Sequence, residues 1–168
     1  MFQAEERLIG TTREHLLKDC FGGVFSNQLT ADGGKESERP EPFYFVSVEV
    51  GNGKNRLEES LAEFVRGESV EYSWEEVRYD GEKSSVSLPT MKRTVVKDLP
   101  PHLIFHLRRF DFDYETCRLT KKNDRFEFPL ELNMLPYTTA ADDPNALQED
   151  FKYELGGVVT HVGTADSG

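Results

Sequence analysis

The spacing of apolar residues predicts that this chain consists mainly of β-strands. From residue 43 to residue 50 apolar and other side chains alternate, which is typical of a partly buried strand. The face expected to be buried carries Tyr44, Val46, Val48 and Val50. Further strands are predicted over residues 84–88, 92–96, 102–110, 126–132 and 151–162. Pro129 has no backbone N–H to donate, so the strand over 126–132 is expected at a sheet edge.

One segment shows the helical period instead. Leu57, Leu61, Phe64 and Val65 are spaced as one face of a helix. Two glutamates lie in its first turn, where the helix dipole favours anions. Gly67 follows and is a typical helix terminator.

Two polar stretches are interpreted as connections between these elements. Residues 30–42 contain Gly33, Gly34 and two prolines, and residues 138–150 are acidic and rich in small side chains. The chain shows no internal repeat and no strict alternation of strands and helices. We therefore predict an α+β fold whose sheet is mainly antiparallel.

Composition excludes several classes of partner. The 168 residues include 31 acidic and 20 basic side chains and carry a formal charge of -11, which would repel nucleic acid. No apolar run approaches the roughly 18 residues of a membrane span, and charges at residues 5–7 interrupt any signal-peptide core. We therefore expect a cytoplasmic or nuclear protein with no membrane partner, in which Cys20 and Cys117 are reduced thiols.

Four segments, in this order, resemble the ubiquitin-specific proteases, the papain-like cysteine deubiquitinases. They are Phe21–Phe25, Phe43–Phe64, Leu99–Asp113 and Tyr153–Gly168. The catalytic domain of that family is described as a hand with thumb, palm and fingers. The resemblance implies that residues 1–168 form a partial catalytic domain without the thumb. The fingers, with a short helix, would span about 21–98, and the palm would span 99–168.

The resemblance assigns no catalytic residue to this chain. The family's nucleophilic cysteine belongs to a thumb motif expected before Met1, and its catalytic histidine would follow Gly168 directly. Cys20 and Cys117 do not match the nucleophile's motif. Thiol protease chemistry needs a thiolate and a histidine within hydrogen-bond reach, so the chain by itself is predicted to be inactive.

The four histidines are interpreted as structural or surface residues. His102 and His106 are spaced to share one face of a predicted strand, which could suggest metal ligands. A pair without acidic or thiolate support is more often packing or surface, however. His161 matches a non-catalytic strand residue of the family, and His15 has no evident partner.

Many members of the family hold a structural zinc in the fingers between two pairs of cysteines. The matching positions here are Ala31, Gly34, Trp74 and Val77. Because zinc needs deprotonated soft ligands, the chain is predicted to bind no metal and no other cofactor, and packing of Trp74 and Val77 would replace the ion.

The family resemblance also predicts a contact with ubiquitin. Ubiquitin ends in Arg-Gly-Gly, and a channel for this tail needs acidic groups and a narrow passage. The loop 163–168 resembles the family's loop beside that channel, so Asp166, Ser167 and Gly168 are candidate ubiquitin-binding residues, although an ordinary polar turn would look similar. The predicted function is the ubiquitin-binding scaffold of a deubiquitinase. A non-catalytic ubiquitin-binding module and an unrelated acidic interaction domain are the alternatives.

Overall fold

The computed structural model describes residues 15–51, 53–77, 83–115 and 117–165. Its helices are α1 (Leu16–Phe21) and α2 (Leu57–Arg66), with 3-10 turns at Leu135–Tyr137 and Gln148–Phe151. Its strands are β1 (Gly23–Ala31), β2 (Lys35–Phe43), β3 (Val46–Glu49), β4 (Glu68–Val77), β5 (Lys83–Asp98), β6 (Phe105–Arg108), β7 (Phe110–Asp113), β8 (Arg118–Lys121), β9 (Glu131–Asn133) and β10 (Lys152–Glu154). None of these helices combines the length and apolar character that a membrane span requires.

The largest sheet has four antiparallel strands in the order β2-β1-β5-β4. It consists of two hairpins, β1–β2 and β4–β5, joined side by side through β1 and β5. Two smaller pairs, β7–β8 and β9–β10, are also antiparallel, whereas β3 and β6 run parallel. The predicted α+β fold with a mainly antiparallel sheet is therefore confirmed.

Strand β2 corrects one sequence prediction, because it lies in the stretch that was expected to be a connector. Gly33 and Gly34 adopt positive φ and form the turn that returns the chain alongside β1. Pro40 and Pro42 have the same parity along β2, so both positions face away from the hydrogen bonds to β1. Because β2 is an edge strand, no other strand of the described residues lies on the side to which these two positions point. The N–H groups that the prolines lack are therefore not needed for any hydrogen bond of the sheet.

Strand β5 joins two segments that were predicted as separate strands. It continues through Pro89, which pairs only with Glu71 of β4, because the pairing with β1 begins one residue later at Thr90. The proline therefore sits beyond the end of β1, where β5 has a neighbour on one side only. Its partner strand β4 was not predicted.

Three predicted strands are shorter than expected. The segment 102–110 is divided into β6 and β7, because the Arg109 N–H turns back to the Leu107 carbonyl at 2.7 Å. The segment 126–132 contributes only the start of β9, so its expected edge strand through Pro129 is wrong. Residues 155–162 were also expected to be a strand, but only 152–154 pair, because no described strand lies beside the rest.

Among the described residues, an apolar core joins β3, α2 and the end of β5. Its buried members are Phe43, Val46, Val48, Val50, Leu57, Leu61, Val96, Phe126, Leu132 and Met134. The predicted inner face is confirmed for Val46 and Val48 of β3 and for Val50 directly after it. The predicted helix is confirmed from Leu57 to its end at Gly67. Glu59 stabilises the helix start because its carboxylate accepts the Asn55 and Arg56 N–H groups at 2.9 and 3.2 Å.

This core draws side chains from both halves of the chain. Val46 and Val48 belong to β3, whose partner β6 lies beyond residue 99, and Leu132 and Met134 come from the region of β9. The proposed division into fingers over 21–98 and palm over 99–168 stays a prediction. What the structure adds is that the two parts share one hydrophobic cluster.

Candidate functional site

The β7–β8 hairpin exposes a row of apolar side chains. Phe112 of β7 lies opposite Leu119 of β8, and Phe110 lies two residues before Phe112 on the same face. The exposed fractions are 40% for Phe110, 47% for Phe112, 85% for Tyr114 and 48% for Leu119. The Phe112 and Tyr114 rings meet edge to face at 5.1 Å. A contiguous apolar row of this kind is typical of a surface that binds a partner.

The loop 161–165 lies against this hairpin. The Lys121 ammonium donates hydrogen bonds to the His161 carbonyl at 3.1 Å and to the Gly163 carbonyl at 2.9 Å. The His161 ring also meets the Phe110 ring edge-on, with centroids 5.2 Å apart. The hairpin (110–115 and 117–121) and the loop (161–165) therefore form one continuous surface, which we call the hairpin–loop surface.

Acidic groups lie on the face of the hairpin opposite the apolar row, because Asp111 and Asp113 alternate along β7 with the aromatic residues. Asp111 forms an ion pair with Lys122 at 2.6 Å, and the hydrogen bond from that ammonium lowers the pKa of the Asp111 carboxyl. Asp113 accepts the Glu115 N–H at 2.9 Å inside the turn. The base of the hairpin is anchored by Arg109, which donates to the Lys122 and Asp124 carbonyls at 3.0 and 2.9 Å. The hairpin thus carries its aromatic rings on one face and these carboxylates on the other.

The predicted tail-contact residues Asp166, Ser167 and Gly168 lie outside the described residues. The described part of the same loop ends at Ala165, and its contacts to Phe110 and Lys121 are those given above. The assignment of the three residues to ubiquitin binding stays a prediction. The structure adds a neighbouring hairpin that sequence reasoning did not include.

The two cysteines lie in different surroundings. Cys20 belongs to α1 and is partly buried, and its backbone carbonyl accepts the His102 N–H at 3.0 Å. Cys117 is exposed in the β7–β8 turn, where its thiol donates to the Tyr114 carbonyl at 3.7 Å. The contacts of both residues thus involve backbone carbonyls and not an imidazole nitrogen.

The histidines do not form the pair that their spacing suggested. His102 precedes β6, which begins at Phe105, so it does not share a strand face with His106. His102 packs against the Phe21 ring at 5.5 Å, whereas His106 is within 3.2 Å of the Ser47 hydroxyl on the outer face of β3 and β6. Within the described ranges, no three His, Cys, Asp or Glu side chains group as they would around a metal ion.

The positions that match the family's zinc ligands offer no suitable donor. Ala31 ends β1, Gly34 lies in the following turn, and Trp74 lies in β4. The Trp74 indole N–H donates to the Thr90 hydroxyl at 2.9 Å. The fourth position, Val77, lies at the end of β4 and its side chain is outside the described part. Since none of the four residue types supplies a thiolate, this set does not fit zinc.

A family model described as "Ubiquitin carboxyl-terminal hydrolase" matches residues 2–168. The chain belongs to this family. Among its curated relatives, the probable ubiquitin carboxyl-terminal hydrolase FAF of Drosophila melanogaster is 36% identical over 98% of this chain and 6% of its own length. Ubiquitin carboxyl-terminal hydrolase 24 of Mus musculus is 35% identical over 99% of this chain and 7% of its own length. The chain thus spans only a small fraction of these relatives.

Solved structures support the same fold. The SAGA Ubp8/Sgf11/Sus1/Sgf73 module bound to ubiquitin aldehyde contains a chain that matches 97% of this chain with a TM-score of 0.73 and 22% identity, over 36% of its own length. A yeast SAGA module that carries a mutant Sgf73 gives a TM-score of 0.71 and 25% identity, over 98% of this chain and 35% of its own. The predicted partial fold of the ubiquitin-specific proteases is therefore confirmed.

Sequence reasoning missed the most distinctive residues of this site. The alternation of Phe110, Phe112 and Tyr114 with aspartates is a strand signal that could have identified the apolar row. Lys121 carried no such signal, because its partners are backbone carbonyls 40 and 42 residues away. Contacts of that kind depend on how the chain folds and leave no local pattern.

Proposed function

We propose that this chain is a portion of a deubiquitinase that binds ubiquitin, while the residues that cut the isopeptide bond belong to other polypeptide. The observation that carries the proposal is the hairpin–loop surface in a chain of the ubiquitin carboxyl-terminal hydrolase family. An exposed apolar row is the kind of surface that a flexible tail can bind, and the acidic surplus of the chain suits a basic tail.

The chemistry of the ubiquitin tail supports this assignment. The tail ends in Arg-Gly-Gly, so its arginine would pair with carboxylates and its glycines would allow close approach to a wall of side chains. Asp111 and Asp113 supply carboxylates in the same hairpin, on the face opposite the rings. Phe112 and Tyr114 supply the exposed rings. Asp166, Ser167 and Gly168 remain candidate contacts in the adjoining loop.

The proposed inactivity of the isolated chain rests on its cysteines and histidines. Isopeptide hydrolysis by this family's mechanism needs a thiolate whose proton a histidine accepts and returns. Cys117 donates to a backbone carbonyl, and the hydrogen bond between Cys20 and His102 joins two backbone groups. Neither arrangement resembles a nucleophile beside its base.

Titration of the ¹⁵N-labelled chain with ubiquitin tests the binding proposal. Chemical shifts of the hairpin–loop surface should change, and they should change less with ubiquitin that lacks its terminal Arg-Gly-Gly. Tyr114→Ala should weaken binding at least about fivefold, as expected for an aromatic side chain at the centre of an interface. Leu147→Ala is the matched control, because Leu147 is 67% exposed but lies in the loop 138–150. Equal effects of both substitutions would contradict the proposal.

A covalent probe tests the proposed absence of a nucleophile. Ubiquitin with an electrophile at its terminus should label neither Cys20 nor Cys117, and labelling of either thiol would show that the chain is itself catalytic. The alternative of a non-catalytic ubiquitin-binding module predicts the same binding. The two are distinguished by whether the coding sequence beyond both ends encodes the family's cysteine motif and a histidine after Gly168.

We also propose a cytoplasmic or nuclear location without nucleic-acid or membrane partners. The net charge of -11 disfavours phosphate backbones, and both cysteines are free thiols. Imaging of the tagged protein in cells tests the location. Accumulation in a secretory compartment would contradict it.

A further inference from the structure

We propose that Lys121 is a positioning residue that holds the loop 161–165 against the β7–β8 hairpin, so that a ubiquitin tail meets a preformed surface. The inference deepens the proposed function and rests on it where ubiquitin is concerned. Its structural part, that one ammonium fixes the loop, can be tested without any ligand.

One cross-strand pair contributes contacts from the hairpin to the loop at both of its members. Lys121 and Phe110 are direct partners in the β7–β8 ladder, and both of them contact His161. Lys121 donates to the His161 carbonyl at 3.1 Å, while the Phe110 ring meets the imidazole at 5.2 Å and nearly at right angles, 84°. The second hydrogen bond of Lys121, to the Gly163 carbonyl at 2.9 Å, fixes the loop two residues further on.

The chemistry of lysine suits this role. An ammonium has three donors and no acceptor, so it can satisfy two carbonyls at once. Hydrogen bonds from a charged donor are stronger than those between neutral groups. Gly163 adopts φ +128°, a conformation that side chains rarely allow, so its carbonyl direction depends on a residue without a Cβ. Lysine and glycine together therefore define the path of the loop.

The neighbouring lysine provides a matched comparison. Lys122 is next in sequence and carries the same charge, but its ammonium contacts Asp111 at 2.6 Å within the hairpin. Replacing either lysine by methionine removes one charge and keeps a similar apolar stem. Only the Lys121 substitution removes the hydrogen bonds to the loop.

Holding the loop in advance should increase affinity for the tail. A segment that is ordered before binding does not lose its freedom at the moment of binding, so more of the contact energy appears as affinity. Removing the Lys121 contacts should therefore lower the tail-dependent part of ubiquitin affinity by about three- to tenfold. Contacts outside the tail should be affected little.

Two measurements on Lys121→Met, Lys121→Arg and Lys122→Met test the inference. The first is ¹⁵N relaxation of residues 161–165 without ubiquitin, where Lys121→Met should lower the order parameters while Lys121→Arg and Lys122→Met should retain them. The second is affinity for intact ubiquitin and for ubiquitin without Arg-Gly-Gly. Lys121→Met should lose most of the difference between the two ligands, and Lys121→Arg should restore it.

Each outcome supports or contradicts a defined part of the inference. The inference would be overturned if the order parameters of residues 161–165 were unchanged in Lys121→Met. It would also be overturned if these order parameters fell while the preference for intact ubiquitin stayed the same. If the unsubstituted chain does not bind ubiquitin, the proposed function fails, and the relaxation data still decide whether Lys121 holds the loop. Trp74 fluorescence shows whether Lys121→Met folds. If it does not, Lys121→Arg and Lys122→Met are compared in both measurements instead. Equal loss of loop order or of tail preference in these two variants would overturn the inference.

Discussion

Replacing Gly67 by alanine should destabilise the chain more than replacing any glycine in an open turn. Gly67 joins the end of α2 to the start of β4 and adopts φ +78° and ψ +169°. An added Cβ would lie 2.8 Å from the Cβ of Arg93 and 2.9 Å from the carbonyl oxygen of Lys92. Both atoms belong to β5, so relief of the contact would require the backbone of the central sheet to move.

Two costs add at this position. The conformation of Gly67 is one that essentially only glycine adopts, and forcing another residue into it costs about 1–3 kcal/mol. Overpacking against a neighbouring strand costs about a further 1–3 kcal/mol. Gly33 is the matched control, because it has φ +82° but nothing within 4 Å of its added Cβ. Gly33→Ala should cost about 1–2 kcal/mol, the conformational part alone.

Equilibrium urea unfolding of the two variants measures this difference. Trp74, the single tryptophan, lies in β4 and reports on the sheet through its fluorescence. Gly67→Ala should lower the free energy of unfolding by about 2–6 kcal/mol in total, provided the transition is two-state. Losses for Gly67→Ala and Gly33→Ala that agree within about 0.5 kcal/mol would refute the role assigned to the β5 contact.

Three further predictions concern an ion pair in the largest sheet, the zinc content of the protein and its stability at alkaline pH. Lys35→Met should cut the 2.6 Å ion pair with Glu76 that links the two hairpins of the large sheet. Because both groups are partly exposed, the loss should be below about 1 kcal/mol, and hydrogen exchange near the hairpin ends should rise in Lys35→Met but not in Lys35→Arg. Purified protein should contain no stoichiometric zinc, and a chelator should leave Trp74 fluorescence unchanged; bound zinc would contradict the assignment. Burial raises the pKa of the Tyr153 phenol, whose hydroxyl donates to the Pro100 carbonyl at 2.6 Å. The stability that the neutral Tyr153 phenol contributes should be fully present below about pH 10, the pKa of a tyrosine in the unfolded chain. It should be lost as the pH rises through the higher pKa of the folded protein. Unfolding curves at alkaline pH should show a smaller decline for Tyr153→Phe, and an equal decline would contradict this.

The local pattern of apolar residues predicted secondary structure correctly where a segment has a clear strand or helix period. The valines of β3 and the helical spacing from Leu57 to Gly67 were read from sequence because alternation and helical period decide which side chains can share a buried face. The same reasoning failed for residues 30–42. Their prolines and charges predict a connector, yet they form β2, because an edge strand accepts prolines whose missing N–H groups face away from the neighbour.

The sequence by itself determined the family, the mainly antiparallel fold and the absence of thiolates at the four positions that match the family's zinc ligands, because these depend on residue identity and on spacing along the chain. Only the tertiary structure decided that one parallel pair, β3 and β6, joins the two halves of the chain. It also placed the loop 161–165 on the β7–β8 hairpin, through Lys121 and Phe110. Hydrogen bonds from one side chain to backbone carbonyls some 40 residues away depend on where the chain returns, and no local pattern of residues encodes that return.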